Sequence, residues 1–263
     1  MKKVIVTGAA GGMGNETVKY LSSLGYFVYA LDLKKIEEIN NVKSFQVDLT
    51  KKEELDSVYN EISKDGMIDG IISLSGMYYM DSFIEIEEEV LRKVIDVNFL
   101  SVYLVNKVFM PLLNKGSKII ITTSEVAPLD PLPFNAIYSV SKSLLESYTI
   151  ALRQELNLKG IKVIELMPGA VSTGMINDSI RNIDRVNKTT KLYKDEAKRF
   201  LKVVQKNESK TVLPIKIAKL VGKIMEARKP RLMYRININR KLRLLNVLPR
   251  RWQVAIITKI LKG

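Results

Sequence analysis

The chain has 263 residues, 46% of them hydrophobic, which suits one α/β domain with a full core. It contains no cysteine and no histidine. That excludes disulfides, thiolate chemistry and Ser-His-Asp or Cys-His catalysis, and leaves no expected metal site, so acid–base work falls to Tyr, Lys, Asp or Glu. The net charge of +14 is uneven: residues 229–263 hold ten Lys/Arg and no acid, leaving +4 for residues 1–228. Met1-Lys2-Lys3 before an apolar run mimics the start of a signal peptide, but the run ends at Thr7-Gly8. No stretch reads as a membrane span, and a cytoplasmic protein is expected.

Val4–Thr7 predicts a first strand. The run Thr7-Gly8-Ala9-Ala10-Gly11-Gly12-Met13-Gly14 then turns the chain into a helix over 12–24. A helix N-terminus offers unpaired N–H groups and a positive dipole end, and glycines at 8, 12 and 14 let backbone approach a pyrophosphate. Taken alone, such a run is a weak signal whose other reading is a glycine-rich surface turn with no ligand. Further strands are predicted at Phe27–Leu31, Ser44–Val47, Gly70–Ser73, Lys118–Thr122 and Lys162–Leu166. Helical patterns fill 51–64, 87–113 and 137–159, with two more near 195–206 and 214–227. This alternation predicts a Rossmann-type α/β fold: a doubly wound parallel sheet with helices on both faces, in a single domain. Ligands then bind beyond the carboxyl ends of the strands. The polar stretch Asn177–Lys194 reads either as part of a substrate lid over 174–206 or as an ordinary solvated connection.

Asp32 ends the second strand, 18 residues beyond Gly14. A carboxylate there accepts both adenosine ribose hydroxyls and repels a 2′-phosphate, which favours NAD; Lys34 and Lys35 keep NADP open. Asp48-Leu49 ends the third strand and reads as an adenine contact or as a turn. Tyr138-Ser139-Val140-Ser141-Lys142 opens a helix, so Tyr138 and Lys142 share one face. An ammonium beside a phenol is expected to pull the phenol pKa down. Ser124, at the end of the preceding strand, can reach the same space.

With these residues in place, the chain resembles the short-chain dehydrogenase/reductase family over nearly its whole length. The resemblance rests on Thr7-Gly8-x-x-x-Gly12-x-Gly14, Tyr138-x-x-x-Lys142 with Ser141, Asn98 within Asp96-Val97-Asn98-Phe99, and Pro168-Gly169-Ala170-Val171-Ser172-Thr173. It implies hydride exchange between NAD or NADP and an alcohol or ketone. In that scheme Tyr138 is acid/base, Lys142 tunes it and bonds the nicotinamide ribose, Ser124 holds the reacting oxygen, and Asn98 fixes a water. Thr7, Gly8, Gly12, Met13, Gly14, Asp32, Asp48, Leu49, Ser75, Gly76, Pro168, Gly169, Val171 and Thr173 join Tyr138 and Lys142 as implied cofactor contacts. The chain departs from the family twice. The fourth strand ends Ser73-Leu74-Ser75-Gly76 where the family often has Asn-Asn-Ala-Gly. Ser124 lies 14 rather than 13 residues before the tyrosine, with Glu125 at the usual offset, which reads as one residue inserted in the loop Ala127–Pro133.

Met77, Tyr78, Tyr79, Leu129, Leu132, Pro133, Phe134, Met175 and Ile176 would line a cleft suited to a lipophilic alcohol or ketone, or else belong to the core. The segment 127–142 and the tail look similar to the steroid, retinoid and long-chain-alcohol branch. A non-catalytic NAD-binding protein or a membrane-surface adaptor on the same fold is the alternative. The domain reading is a catalytic body over 1–228 and a basic extension over 229–263. Trp252, Ile256 and Ile260 recur at i+4 among cations, which reads as a peripheral membrane helix or as a helix packed on the body or a second subunit. A homo-oligomer is expected, and nucleic acid is not, since only Trp252 could stack.

Overall fold

In a computed structural model, the backbone is described for residues 1–206 and 210–262, and the side chains of 175–180, 183, 205 and 206 lie outside the described residues. The chain runs β1 (Lys3–Thr7), α1 (Gly12–Ser23), β2 (Phe27–Asp32), β3 (Val42–Gln46), α2 (Lys52–Ile62) and β4 (Ile68–Ser73). Next come α3 (Glu88–Ile95), a π-helical turn (Asp96–Leu100), α4 (Ser101–Phe109), β5 (Leu113–Thr122), α5 (Ala136–Asn157) and β6 (Lys162–Pro168). Then follow α6 (Gly174–Thr189), α7 (Lys194–Lys206), α8 (Pro214–Glu226), β7 (Met233–Ile236), α9 (Arg240–Val247) and α10 (Arg250–Lys262). The seven strands form one sheet in the order β3-β2-β1-β4-β5-β6-β7, and every pair is parallel. Strand order reverses between β1 and β4, which opens a crevice at their carboxyl ends.

The strands are short β-branched runs because both sheet faces are covered. One face buries Ile5, Tyr29, Ile71 and Ile119 against Val102, Phe109 and Leu145. The other buries Val4, Val6, Ile72 and Ile164 against Val18, Leu21, Ile217 and Val221. Each such side chain contributes about 1.5–3 kcal/mol on leaving water. A smaller cluster, Met80, Phe134, Val186, Ala197, Phe200 and Leu261, sits where α6 and α7 cover the carboxyl end of the sheet.

Four local expectations need correction. The stretch around 177–194 is mostly helix. Its Asn, Asp and Thr residues favour turns in isolation, and burial of Val186 against Phe134 and Phe200 accompanies the helix instead. A seventh strand, β7, lies inside what reads as the basic extension; its four residues are too few for a period, yet they pair with Glu165–Pro168 and complete the sheet. The tail is two helices, because Leu248-Pro249 interrupts it. Finally, the continuous helical stretch Glu88–Leu112 is long and apolar enough by composition to cross a membrane, with a mean hydropathy of 1.2 over 18 residues. It carries Val94, Asn98, Val102, Val105 and Phe109 into the interior and serves as a core helix.

Candidate active site

The glycine turn joins β1 to α1 at the crevice. Gly8 has φ +67°, a left-handed conformation that glycine adopts without strain. A Cβ on Gly14 would stand 1.9 Å from the Gly8 carbonyl oxygen, so the turn closes only with hydrogen there. The first turn of α1, starting at Gly12-Met13-Gly14, has no side-chain cap and no acidic residue. Its N–H groups are therefore available to an anion. A Cβ on Gly12 would meet the Thr173 methyl at 2.8 Å, so the segment after β6 faces the turn closely. Thr7 Oγ1 donates to Ser75 Oγ at 3.2 Å and links the ends of β1 and β4. These features fit a dinucleotide: a cradle that any larger residue would fill, ending in an uncapped helix.

Asp32, at the end of β2, accepts from the Ala10 N–H at 3.0 Å and from the Lys34 N–H at 3.0 Å. Its carboxylate therefore stands beside the glycine turn, while Lys34 and Lys35 are exposed. Asp48 accepts from the Thr50 N–H (2.9 Å) and hydroxyl (2.7 Å), the geometry of a turn residue before α2. Leu49 packs in the core beside Leu55. Past β6, Gly169 N–H donates to Ile236 O, Val171 is buried and bridges to Val212, and Pro168 O accepts from the Glu125 N–H.

The catalytic candidates converge from three elements. Asn98 sits in the π-helical turn, a device that recurs at functional sites. It is fully buried. Its Nδ2 donates to Met77 O (3.0 Å) and Ser141 Oγ (2.9 Å), and its Oδ1 accepts from the Met77 N–H (2.7 Å). Ser141 Oγ in turn donates to Tyr138 O, one turn earlier on α5. Lys142 is 4% exposed; its Nζ donates to Thr122 O at 3.2 Å and lies 5.9 Å from the Tyr138 ring centroid. A Cβ on Gly76 would lie 3.3 Å from Asn98 Oδ1 and 3.5 Å from Lys142 Nζ, so both polar groups face that glycine. Ser124 is buried just past β5, its Oγ accepts from the Val126 N–H at 3.5 Å, and it is near enough to Tyr138 to lower that phenol's pKa. The Glu125 carboxylate, at the neighbouring position, accepts the Asn239 N–H of the tail.

The electrostatics differ from the expectation of a depressed tyrosine. Burial pushes the Tyr138 phenol up, the nearby Ser124 pulls it down, and the Glu125 charge pushes it up again. Burial likewise pushes the Lys142 ammonium down, to about 8. Both groups lose water together, and in the protein alone the Lys142 cation does not offset that loss at Tyr138. Tyr78 stands edge-on to Tyr138, ring centroids 4.7 Å apart, and burial raises its phenol too.

Of the expected cleft residues, Phe134 belongs to the cluster with α6 and α7 and Tyr78 packs against it, while Met175 and Ile176 fall outside the described side chains. Phe134 has φ +62°, a strained conformation for an aromatic residue immediately before α5. It is held by rings of Phe200 and Tyr193 at 5.4 and 5.8 Å. Arg185 was not singled out by the sequence. From α6 it pairs with Asp81 at 2.9 Å and stacks 4.5 Å over Tyr79, fastening α6 to the segment after β4. Thr122, which offers a backbone carbonyl to Lys142, carries no sequence signal at all.

A family profile for short chain dehydrogenase matches residues 2–184. The chain is 30% identical over 229 residues to a 3-ketodihydrosphingosine reductase of Bacteroides thetaiotaomicron, covering 86% of this chain and 84% of that one. The chain belongs to the short-chain dehydrogenase family. It is an NAD(P)-dependent oxidoreductase acting on CH–OH and C=O groups. It is also 29% identical to estradiol 17-beta-dehydrogenase 2 of Rattus norvegicus, over 78% of this chain but only 56% of that longer one. A short chain dehydrogenase family structure from Francisella tularensis superposes with a TM-score of 0.75 at 24% identity, covering 90% of this chain and 97% of that one.

Proposed function

We propose that this short-chain dehydrogenase exchanges a hydride between NAD and a lipophilic alcohol or ketone, with Tyr138 as its acid–base residue. The observation that carries the reading is the convergence of buried Ser124, Lys142 and Asn98 on Tyr138: Lys142 Nζ lies 5.9 Å from its ring, and Asn98 bonds Ser141, which bonds the Tyr138 carbonyl. The nicotinamide dinucleotide, when bound, supplies or accepts the hydride. Tyr138 gives a proton to the substrate oxygen in reduction and takes it in oxidation. Ser124 holds that oxygen by donating a hydrogen bond. Lys142, charged below about pH 8, faces the tyrosine ring and favours the phenolate that reduction leaves. Asn98 positions Met77 and, through Ser141, the first turn of α5. Thr7, Gly8, Gly12, Met13 and Gly14 would hold the pyrophosphate, Asp32 the adenosine ribose, and Gly76 and Thr173 the nicotinamide end.

The Asp32 carboxylate beside the glycine turn supports NAD over NADP, because it repels a 2′-phosphate. The aromatic lining of Tyr78 and Phe134 under an apolar lid supports a lipophilic substrate. So do the sphingoid ketone and the steroid named for the relatives. A homo-oligomer is supported by exposed Val140, Leu144 and Ile150 on α5. A body over 1–228 with a basic extension remains the domain division, with β7 shared between them. Location inside the cell, where nicotinamide cofactors are held, belongs to the same reading. The test is a turnover screen, read by nicotinamide absorbance, over sphingoid ketones, steroids, retinol, long-chain alcohols and 3-oxoacyl compounds. Turnover of at least one apolar class with NAD is expected; turnover confined to small polar alcohols would overturn the substrate assignment.

A further inference from the structure

We infer that α9 and α10 form a docking surface for an anionic lipid bilayer. α10 packs on the body through one face only: Gln253 and Leu261 are buried, Ile257 joins the cluster with α6 and α7, and Arg199 donates to Leu261 O at 2.9 Å. The neighbouring stripe is uncovered. Trp252 is 62% exposed, Ile260 49% and Ile256 37%, at i, i+8 and i+4. On α9, Leu244 and Val247 are 70% and 80% exposed, and the helix buries no residue. Arg240, Arg243, Arg251, Lys259 and Lys262 are exposed on the same two helices.

The charge decides what covers this surface. The segment from Lys229 to Gly263 carries ten cations and no acid. A second copy docked face to face would set these cations against themselves, since a two-fold interface is self-complementary. A polynucleotide would neutralise the cations but leave exposed leucine, valine and isoleucine in water, with only Trp252 to stack on. An anionic bilayer satisfies both halves: headgroups take the cations and the acyl boundary takes the apolar stripe, with tryptophan at the preferred depth.

The surface is also tied to the active-site loops. Glu125 accepts the Asn239 N–H, Asp130 N–H donates to Asn246 Oδ1 at 2.6 Å, and Asn237 Nδ2 donates to Ala170 O at 2.7 Å. A bilayer under α9 and α10 therefore contacts the elements that fasten the loops after β5 and β6. This use of the surface rests on the lipophilic substrate proposed above, but docking itself is read without turnover.

Trp252 is the chain's single tryptophan, so its emission reports this surface alone. The full chain is mixed with phosphatidylglycerol–phosphatidylcholine vesicles or with pure phosphatidylcholine vesicles, at low and moderate salt. Co-sedimentation with the anionic vesicles, a blue shift of Trp252 and quenching by brominated acyl chains are expected, with binding weakened by salt. The exposed triple substitution Arg251→Gln, Lys259→Gln, Lys262→Gln should lower vesicle affinity about a hundredfold while leaving the melting temperature and NAD binding unchanged. Ile256→Ser with Ile260→Ser should remove the quenching. Equal binding to neutral vesicles, sedimentation without any Trp252 response, or no sedimentation at all would each overturn the proposal. So would a Trp252 shift that follows protein dimerisation or oligonucleotide binding in the absence of vesicles. If docking fails while apolar ketones are still reduced, the surface assignment falls and the substrate reading stands.

Discussion

Replacing Lys142 by methionine keeps the aliphatic stem and removes the ammonium. The wild-type lysine is 4% exposed, and burial holds its pKa at about 8 against an ordinary 10.5. Between those two values the unfolded chain binds a proton that the folded chain does not, so wild-type stability rises as pH climbs from 8 to 10.5. Below pH 8 the burial cost is fully present, on the order of 3 kcal/mol. Methionine escapes that cost but gives up the bond to the Thr122 carbonyl, a loss of about 1 kcal/mol. The net prediction is a variant about 2 kcal/mol more stable than wild type at pH 7, a rise of roughly 4–8 °C in Tm. That advantage should shrink by about 1.4 kcal/mol per pH unit above pH 8, as the folded lysine gives up its proton while the unfolded one keeps it, and should be gone by about pH 9.5. Turnover should fall at least a hundredfold at pH 7, of order 3 kcal/mol in the barrier. Thermal melts of both proteins at pH 7 and pH 10, beside a rate assay, measure all of this. A variant equally destabilised at both pH values would refute the reasoning, because Lys142 would then carry no burial cost for function.

Asp32→Ser should raise the relative affinity for NADP at least about tenfold, as the carboxylate's repulsion of a 2′-phosphate disappears; fluorescence titration of both dinucleotides reads the ratio. A wild type that binds NADP more tightly than NAD would sink the Asp32 assignment and favour Lys34 or Lys35. Arg185→Ala removes the pair with Asp81 and the stacking on Tyr79, loosening α6 from the segment after β4. KM for apolar substrates should rise several-fold with cofactor affinity unchanged, and stability should fall by about 1–2 kcal/mol.

The site was legible where chemistry and backbone demand particular residues. Gly8, Gly12 and Gly14 mark a turn that larger residues cannot close. Tyr138 and Lys142 are placed by helical period alone, and Ser124 by the end of its strand. Their electrostatic state was not legible, because it depends on how much water the fold removes from both groups. Asn98 stood out only by family likeness; its π-helical turn leaves no mark in a continuous helical pattern. Arg185 and β7 were hidden for a different reason. One acts through a pair with Asp81 far away in sequence, and the other is a four-residue edge strand whose existence depends on its neighbour β6. In the tail, the stripe of Trp252, Ile256 and Ile260 was readable. The face of Gln253, Ile257 and Leu261 beside it was not, since that face is defined by α6 and α7.

Tyr138→Phe tests the central claim most directly. The substitution removes one hydroxyl from a ring packed against Tyr78 and leaves the glycine turn, Asp32 and Lys142 in place. With any substrate found active for the wild type, kcat should fall at least about a hundredfold, while NAD affinity and melting temperature stay close to wild type. A variant that binds NAD normally and retains near-wild-type turnover would contradict the account, because the proton would then reach the substrate oxygen from another group.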